Sequence, residues 1–201
     1  HRDLHSFPTR RSSDLSSSLS FDLALFYNDY SSLRSFETGR YILTDWGVII
    51  PIRPENRGEG ETYGLELVAD WRATRWWHLQ AAYTFLRMDL DTVDDSSDAT
   101  LAHAEGESPR HQLSLRSMMN LPQNIQLDGW LRYVDALPAS GISSYVTVDA
   151  RVSWRPFPNL ELALIGQNLL DQNHPEFSGE ILELLSAEVP RSFHGRITWQ
   201  F

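Results

Sequence analysis

YVTVDARVSW, from Tyr145 to Trp154, alternates without a break. Val146, Val148, Ala150, Val152 and Trp154 fall on one side, and Tyr145, Thr147, Asp149, Arg151 and Ser153 on the other. A period of two is strand geometry, here with one apolar and one polar face. The end of the chain repeats it: Phe193, Ile197, Trp199 and Phe201 alternate with Ser192, His194, Arg196, Thr198 and Gln200.

The same pattern extends upstream. Leu19, Phe21, Leu23, Leu25 and Tyr27 oppose Ser20, Asp22 and Asn28. Tyr63, Leu65, Leu67, Ala69 and Trp71 oppose Glu66, Asp70 and Arg72, and Trp77, Leu79, Ala81, Tyr83 and Phe85 oppose His78, Gln80 and Thr84. Leu113, Leu115, Met119 and Leu121 oppose Gln112, Ser114, Arg116 and Asn120, and Ile125, Leu127, Leu131 and Tyr133 oppose Gln126, Asp128 and Arg132. Leu160, Leu162 and Leu164 oppose Glu161 and Gln167, with Ala163 and Ile165 blurring the polar face. Roughly eight strands result, with no strong helix. Ile181 to Leu185 is compatible with a short helical turn in a loop.

Link lengths alternate. Ala73 to Trp76, Leu121 to Asn124 and Pro156 to Asn159 are short turns; Ser31 to Glu61, Arg87 to Pro109, Asp135 to Ser144 and Leu170 to Pro190 are long. A soluble meander has no reason to gather its long loops at one end. An outer-membrane barrel does, with short periplasmic turns and long extracellular loops. In that orientation Trp71, Trp76, Trp77, Trp154 and Trp199 lie at periplasmic ends, and Tyr27, Tyr63, Tyr83, Tyr133 and Tyr145 at or towards extracellular ends. Amphipathic rings favour both interfaces. About 11 residues at ~3.3 Å each, tilted ~40°, cross roughly 25–28 Å. The expected fold is all-β: an antiparallel up-and-down transmembrane β-barrel portion of about eight strands. The competing architecture is a soluble sandwich or lipocalin-like barrel with its apolar face turned inward.

Composition narrows the chemistry. No run approaches ~20 apolar residues, so no transmembrane helix is expected. Cysteine and lysine are both absent, which removes disulfides, thiolate metal sites and lysine nucleophiles. The formal charge of −10 suits nucleic-acid phosphates poorly. There is no Gly-x-Ser-x-Gly elbow, and His103, His111, His174 and His194 lack metal-ligand spacing. Neither enzyme chemistry nor a cofactor is expected. Asp89, Asp91, Asp94, Asp95, Asp98, Glu105 and Glu107 make one loop acidic, but without EF-hand spacing; it reads as a solvated extracellular loop. His1 to Leu15 (HRDLHSFPTRRSSDL) has neither period and is similar to translated adapter sequence. It is set aside as a non-native or disordered leader, leaving 16–201 as the barrel portion.

Four stretches carry a family resemblance. YGLELVADWRATRWWHLQAAYTFL (Tyr63 to Leu86) resembles the Gly-x-Glu strand, turn and Tyr-Thr strand of TonB-dependent receptors. SPRHQLSLRSMMNLP (Ser108 to Pro122) resembles their next descending strand, and VPRSFHGRITWQF (Val189 to Phe201) their closing strand. YVTVDARVSWRPFPNLELALIGQNLLDQNHPEF (Tyr145 to Phe177) is the most specific match, above all at Gly166 to Asp171. The resemblance implies an outer-membrane active transporter for scarce, bulky nutrients, most often iron–siderophore complexes, in which about 22 strands enclose a plug driven by the TonB complex. The plug and the TonB-contacting segment have no counterpart in these residues, so the chain reads as a fragment. It reaches TonB only through the missing plug, and its other implied partners are outer-membrane lipid, the barrel assembly machinery and a small-molecule substrate.

Two sets of residues stand out. Phe193, Ile197, Trp199 and Phe201 resemble the terminal signal read by the assembly machinery, which strand addition can engage; they are equally well suited simply to face lipid. Glu66, Asp70, Arg116, Arg132, Asp149, Arg151 and Arg196 fall on the polar, lumen-facing side, where contact with substrate or plug competes with plain ion pairing. The alternative to transport is a self-contained eight-stranded barrel with a structural or adhesin role.

Overall fold

In the computed structural model, the described residues are 5–6, 9–16, 18–98, 100–177 and 187–201, with backbone alone for 5–6, 9–16, 102, 177 and 187. Strands β1 (His5–Ser6) and β2 (Thr9–Ser16) precede β3 (Leu19–Thr38). A hairpin of β4 (Ile42–Thr44) and β5 (Gly47–Ile49) leads to β6 (Ile52–Trp71) and β7 (Trp77–Thr92). Helix α1 (Thr100–Glu105) precedes β8 (His111–Leu121), β9 (Ile125–Val134), β10 (Tyr145–Phe157) and β11 (Leu160–Gln167). A second hairpin, β12 (Asn173–Phe177) and β13 (Ala187–Pro190), precedes β14 (Ser192–Trp199).

One antiparallel sheet runs in the order β3-β6-β7-β8-β9-β10-β11-β14, with β1 and β2 both paired to the outer edge of β3. Its eight long strands are those the alternation delimits, and it does not close on itself. Register carries the alternation from strand to strand. Leu23, Leu67, Tyr83, Leu113, Tyr133 and Val146 stand opposite one another in a single row. Trp77, Met119, Leu127, Val152 and Leu164 form another. These apolar rows are open: Leu113 is 43% exposed and Leu164 56%. Among the described residues the only buried apolar side chains are Leu101, Ile142 and Ala163. A soluble sandwich would bury its apolar face, so this inside-out distribution separates the two architectures.

Both girdles are present. Trp71, Trp76, Trp154 and Trp199 are exposed at the short-turn ends. Tyr27 and Tyr63 face each other near the long-loop end, where Tyr83 Oη hydrogen-bonds His111 Nδ1 at 2.8 Å. Tyr145 lies at that end too, but on the polar face, where it stacks on His174 at 4.5 Å.

The long links hold more structure than their sequence suggests. Within Ser31 to Glu61, β3 and β6 stay paired out to Thr38↔Ile52, with register shifts beside Leu33. Likewise β7 runs on to Thr92 inside the acidic link. Beyond the bilayer both sheet faces meet water, so nothing enforces alternation, and polar residues such as those of Arg53–Thr62 still make a ladder. Gly60 sits in this extension at φ +153°, where a Cβ would strike the Asp89 carbonyl. The helical turn expected at Ile181 to Leu185 lies outside the described residues.

Candidate functional site

The polar face is read off the same register. Ser20, Asp70, Gln80, Arg116, Trp130 and Asp149 form one row, and Asp22, Val68, Ala82, Ser114, Arg132 and Thr147 the next. Glu66 stands opposite Thr84, Arg151 opposite Asp128, and Arg196 opposite Ala163. All seven polar residues singled out from the sequence thus share one face, but they do not form one cluster.

Arg151, Arg155 and Arg196 converge on Glu161 near the short turns. Arg151 Nη2 reaches Glu161 Oε1 at 2.8 Å, Arg155 Nη2 reaches Oε2 at 3.0 Å, and Arg196 Nη2 reaches Oε1 at 3.2 Å. The second arm of Arg151 donates to Asp128 Oδ2 at 3.0 Å. Asp70 accepts from Gln80 Nε2 at 3.0 Å and lies 2.8 Å from His78 Nε2. Higher up, Arg132 Nη2 donates to Asp149 Oδ2 at 2.8 Å while its guanidinium lies over the Trp130 ring at 4.4 Å. The side chains of Glu66 and Arg116 make no ion pair or hydrogen bond among the described residues, unlike those of the other five. Glu161, Asp128 and Trp130 were not singled out from the sequence. The polar positions of β9 and β11 are visible there, but the convergence of three arginines on Glu161 is set by cross-strand register.

Asp149 also anchors the loop after β11. Its Oδ1 accepts from the Asn168 backbone amide at 2.9 Å, and Leu169 N donates to the Val148 carbonyl at 2.8 Å. Asn168 is buried at φ +50°, a left-handed conformation asparagine tolerates, and its Nδ2 donates to the Val189 carbonyl at 2.9 Å. Gly166 gives Leu169 and the Phe193 ring room to approach. The Gly166 to Asp171 motif is therefore a device that folds the last long loop back onto the polar face.

Outside the bilayer, Glu37 on β3 holds the acidic loop. Ser97 N and Ser96 Oγ donate to its carboxylate at 2.7 Å each, and Ser97 Oγ at 3.0 Å. Led by the Ser97 amide and the Ser96 hydroxyl, these bonds keep the Glu37 carboxyl at about 2, against an ordinary value of 4.5. Burial pushes Asp98 upward, but hydrogen bonds from the Thr100 hydroxyl and amide and the Phe36 amide outweigh it and leave the group below its ordinary range. The loop is thus a fastened structure rather than a purely solvated one. No group of three or more metal-ligating side chains occurs among the described residues. On the opposite, apolar face, Phe193, Ile197 and Trp199 stand out from β14, and Phe201 follows it fully exposed.

Residues 12–169 match the model for the TonB dependent receptor-like β-barrel. The chain belongs to that family. Its members are transporters of the bacterial outer membrane and not enzymes, so the apolar rows face lipid. Solved receptors share the fold. The pyoverdine outer membrane receptor FpvA from Pseudomonas aeruginosa PAO1 superimposes with a TM-score of 0.70 at 16% identity, over 98% of this chain and 29% of that one. The ferric-catecholate import receptor Fiu of E. coli K12 gives 0.66 at 20% identity, over 98% and 27%. The copper transporter OprC gives 0.63 at 14%, over 98% and 30%. The chain therefore spans less than a third of each receptor's length.

Proposed function

We propose that this chain is part of the wall of a TonB-dependent outer-membrane receptor that takes up a scarce nutrient, an iron–siderophore complex. The observation that carries the reading is the polar face of a family barrel on which Trp130, Arg132, Arg116 and Glu66 are presented rather than consumed in a core. The ligands named for FpvA and Fiu, pyoverdine and a ferric catecholate, support the iron class. On this reading the polar face lines the lumen, and TonB and the barrel assembly machinery are partners of the whole receptor. Phe193, Ile197, Trp199 and Phe201 serve as its assembly signal. The test is uptake of radiolabelled iron supplied as a panel of siderophores to the source bacterium, with and without the gene that encodes these residues. Loss of uptake of one siderophore supports the proposal; unchanged iron uptake with loss of copper uptake moves the receptor to the class of OprC.

A further inference from the structure

Among the described residues, four buried side-chain nitrogen or oxygen atoms have no hydrogen-bond partner: Arg132 Nε, Thr147 Oγ1, Asn168 Oδ1 and His174 Nδ1. They come from β9, β10, the loop after β11, and β12, yet the fold gathers their residues in one patch. Arg132 and Thr147 stand directly opposite each other across β9 and β10. Asn168 is tied to Asp149, two residues beyond Thr147 on the same face, and Asp149 in turn holds Arg132. His174 stacks on Tyr145, two residues in the other direction. The chain between Asn168 and His174 therefore passes along β10 over Thr147, which accounts for that residue's 2% exposure. Asn168 and His174 are buried as well. This roof is fixed in its turn, since His174 pairs with Val189 and the Val189 carbonyl accepts from Asn168 Nδ2 at 2.9 Å.

A buried polar group without a partner is costly, so folded proteins almost always supply one from the chain or from ordered water. Enclosure limits the size of the partner here. Neither a polypeptide segment nor a bulky nutrient reaches atoms with almost no exposed surface, so the occupant is a small molecule trapped as the chain folds. Hydrogen-bond chemistry decides which one. His174 Nε2 lies 3.0 Å from Glu176 Oε1. An ionised carboxylate only accepts, so the ring hydrogen sits on Nε2, and Nδ1 of the neutral imidazole is an acceptor. Asn168 Oδ1 accepts too, Arg132 Nε–H only donates, and the Thr147 hydroxyl does either. A metal cation would meet the Arg132 guanidinium, and a simple anion would have no hydrogen to give Asn168 and His174. Water offers two donors and two acceptors, which matches the set.

We infer that this patch encloses a buried water molecule that donates to Asn168 Oδ1 and His174 Nδ1 and accepts from Arg132 Nε and Thr147 Oγ1. The water fastens the last long loop to the polar face between the direct contacts of Asn168 with Asp149 and of His174 with Tyr145. Asn168 then serves twice: its backbone amide holds Asp149 and its side-chain oxygen holds the water.

Crystals of the full chain grown from maltoside micelles, diffracting well enough to show ordered water, test the site directly. One density peak should lie within hydrogen-bond reach of all four atoms. No peak there, or direct bonds among the four atoms in its place, overturns the inference. Two variants test what the water does. Thr147→Val keeps the side chain's shape and removes the hydroxyl; Thr147→Ser keeps the hydroxyl and removes the methyl group. Exchange of the Asn168 and Leu169 amide hydrogens, followed by NMR in micelles, should be roughly tenfold faster in T147V, about one hydrogen bond's worth, and close to the parent rate in T147S. Parent-like exchange in T147V, or equal acceleration in both variants, would mean that packing rather than water fastens the loop, and would overturn the inference.

Discussion

At the scale of single residues, the decisive interactions are carboxylates that gather several donors. Glu37 is the clearest, because it lies outside the bilayer and its protonation can be followed. Its folded value is depressed, so its contribution is fully present above its ordinary 4.5 and is lost as pH falls through about 2. The loop from Asp94 to Thr100 should stay fastened at neutral pH and loosen between those two values. Glu37→Gln should loosen it at neutral pH, because an amide nitrogen then faces hydroxyl and amide donors. Cleavage by an Asp-specific endoproteinase at Asp94, Asp95 and Asp98, measured in micelles, checks this: the variant should be cut several-fold faster than the parent. Equal rates would mean that the Ser96 and Ser97 bonds do not hold the loop. The sequence shows Glu37 as one acid among many, and nothing there pairs it with serines about 60 positions away.

At the scale of elements, strand pairing depends on a few close approaches. Gly64 on β6 lies under the Phe26 ring and beside the Phe85 carbonyl, and a Cβ would strike both. A large cross-strand ring covering a glycine is a known way to hold register. Gly64→Ala should therefore destabilise the sheet by about 1–3 kcal/mol, as overpacking does elsewhere. A lower midpoint of thermal unfolding in micelles is the check; an unchanged midpoint would show that β6 and β7 shift freely. Strand β14 is the other sensitive element, since its outer edge has no strand partner among the described residues and its apolar row is exposed. If Phe201 belongs to the assembly signal, Phe201→Ala should lower the amount of receptor in the outer-membrane fraction several-fold without changing the midpoint of what does fold. A reduced midpoint at normal abundance would make Phe201 an ordinary lipid-facing residue. Alternation locates both strands, but which glycine is crowded emerges only when the neighbouring strands are in place.

At the scale of the whole molecule, the open sheet governs behaviour. Among the described residues, the outward edge of β14 leaves amides and carbonyls without partners, and hydrocarbon cannot supply any. Offered to lipid vesicles by itself, the chain should aggregate rather than insert; micelles, whose rims admit water to the edges, should tolerate it better. A heat-modifiable, protease-resistant band after incubation with vesicles would contradict this. A chain trimmed to 16–201 should keep the far-UV signal of the eight long strands, because their mutual pairing does not involve the leader. Loss of that signal would make residues 1–15 part of the sheet's support, through the pairing of Thr9–Ser16 with β3.

The sequence by itself determined the eight strands, their apolar and polar faces, the short and long ends of the sheet and its two aromatic belts. Each follows from a local rule: a strand with lipid on one side must alternate, and a ring with a polar tip seeks the interface. It also placed Asp70, Arg132, Asp149, Arg151 and Arg196 on one face, because parity along a strand is a sequence property. Only the tertiary structure decided which of them meet. It set Arg151, Arg155 and Arg196 on Glu161, left the Glu66 and Arg116 side chains without an ion pair among the described residues, folded the Asn168 loop onto Asp149 and carried β3 and β6 past the bilayer as a ladder. Those outcomes depend on cross-strand register and on backbone hydrogen bonds, which any polar sequence can make once water lies on both sides.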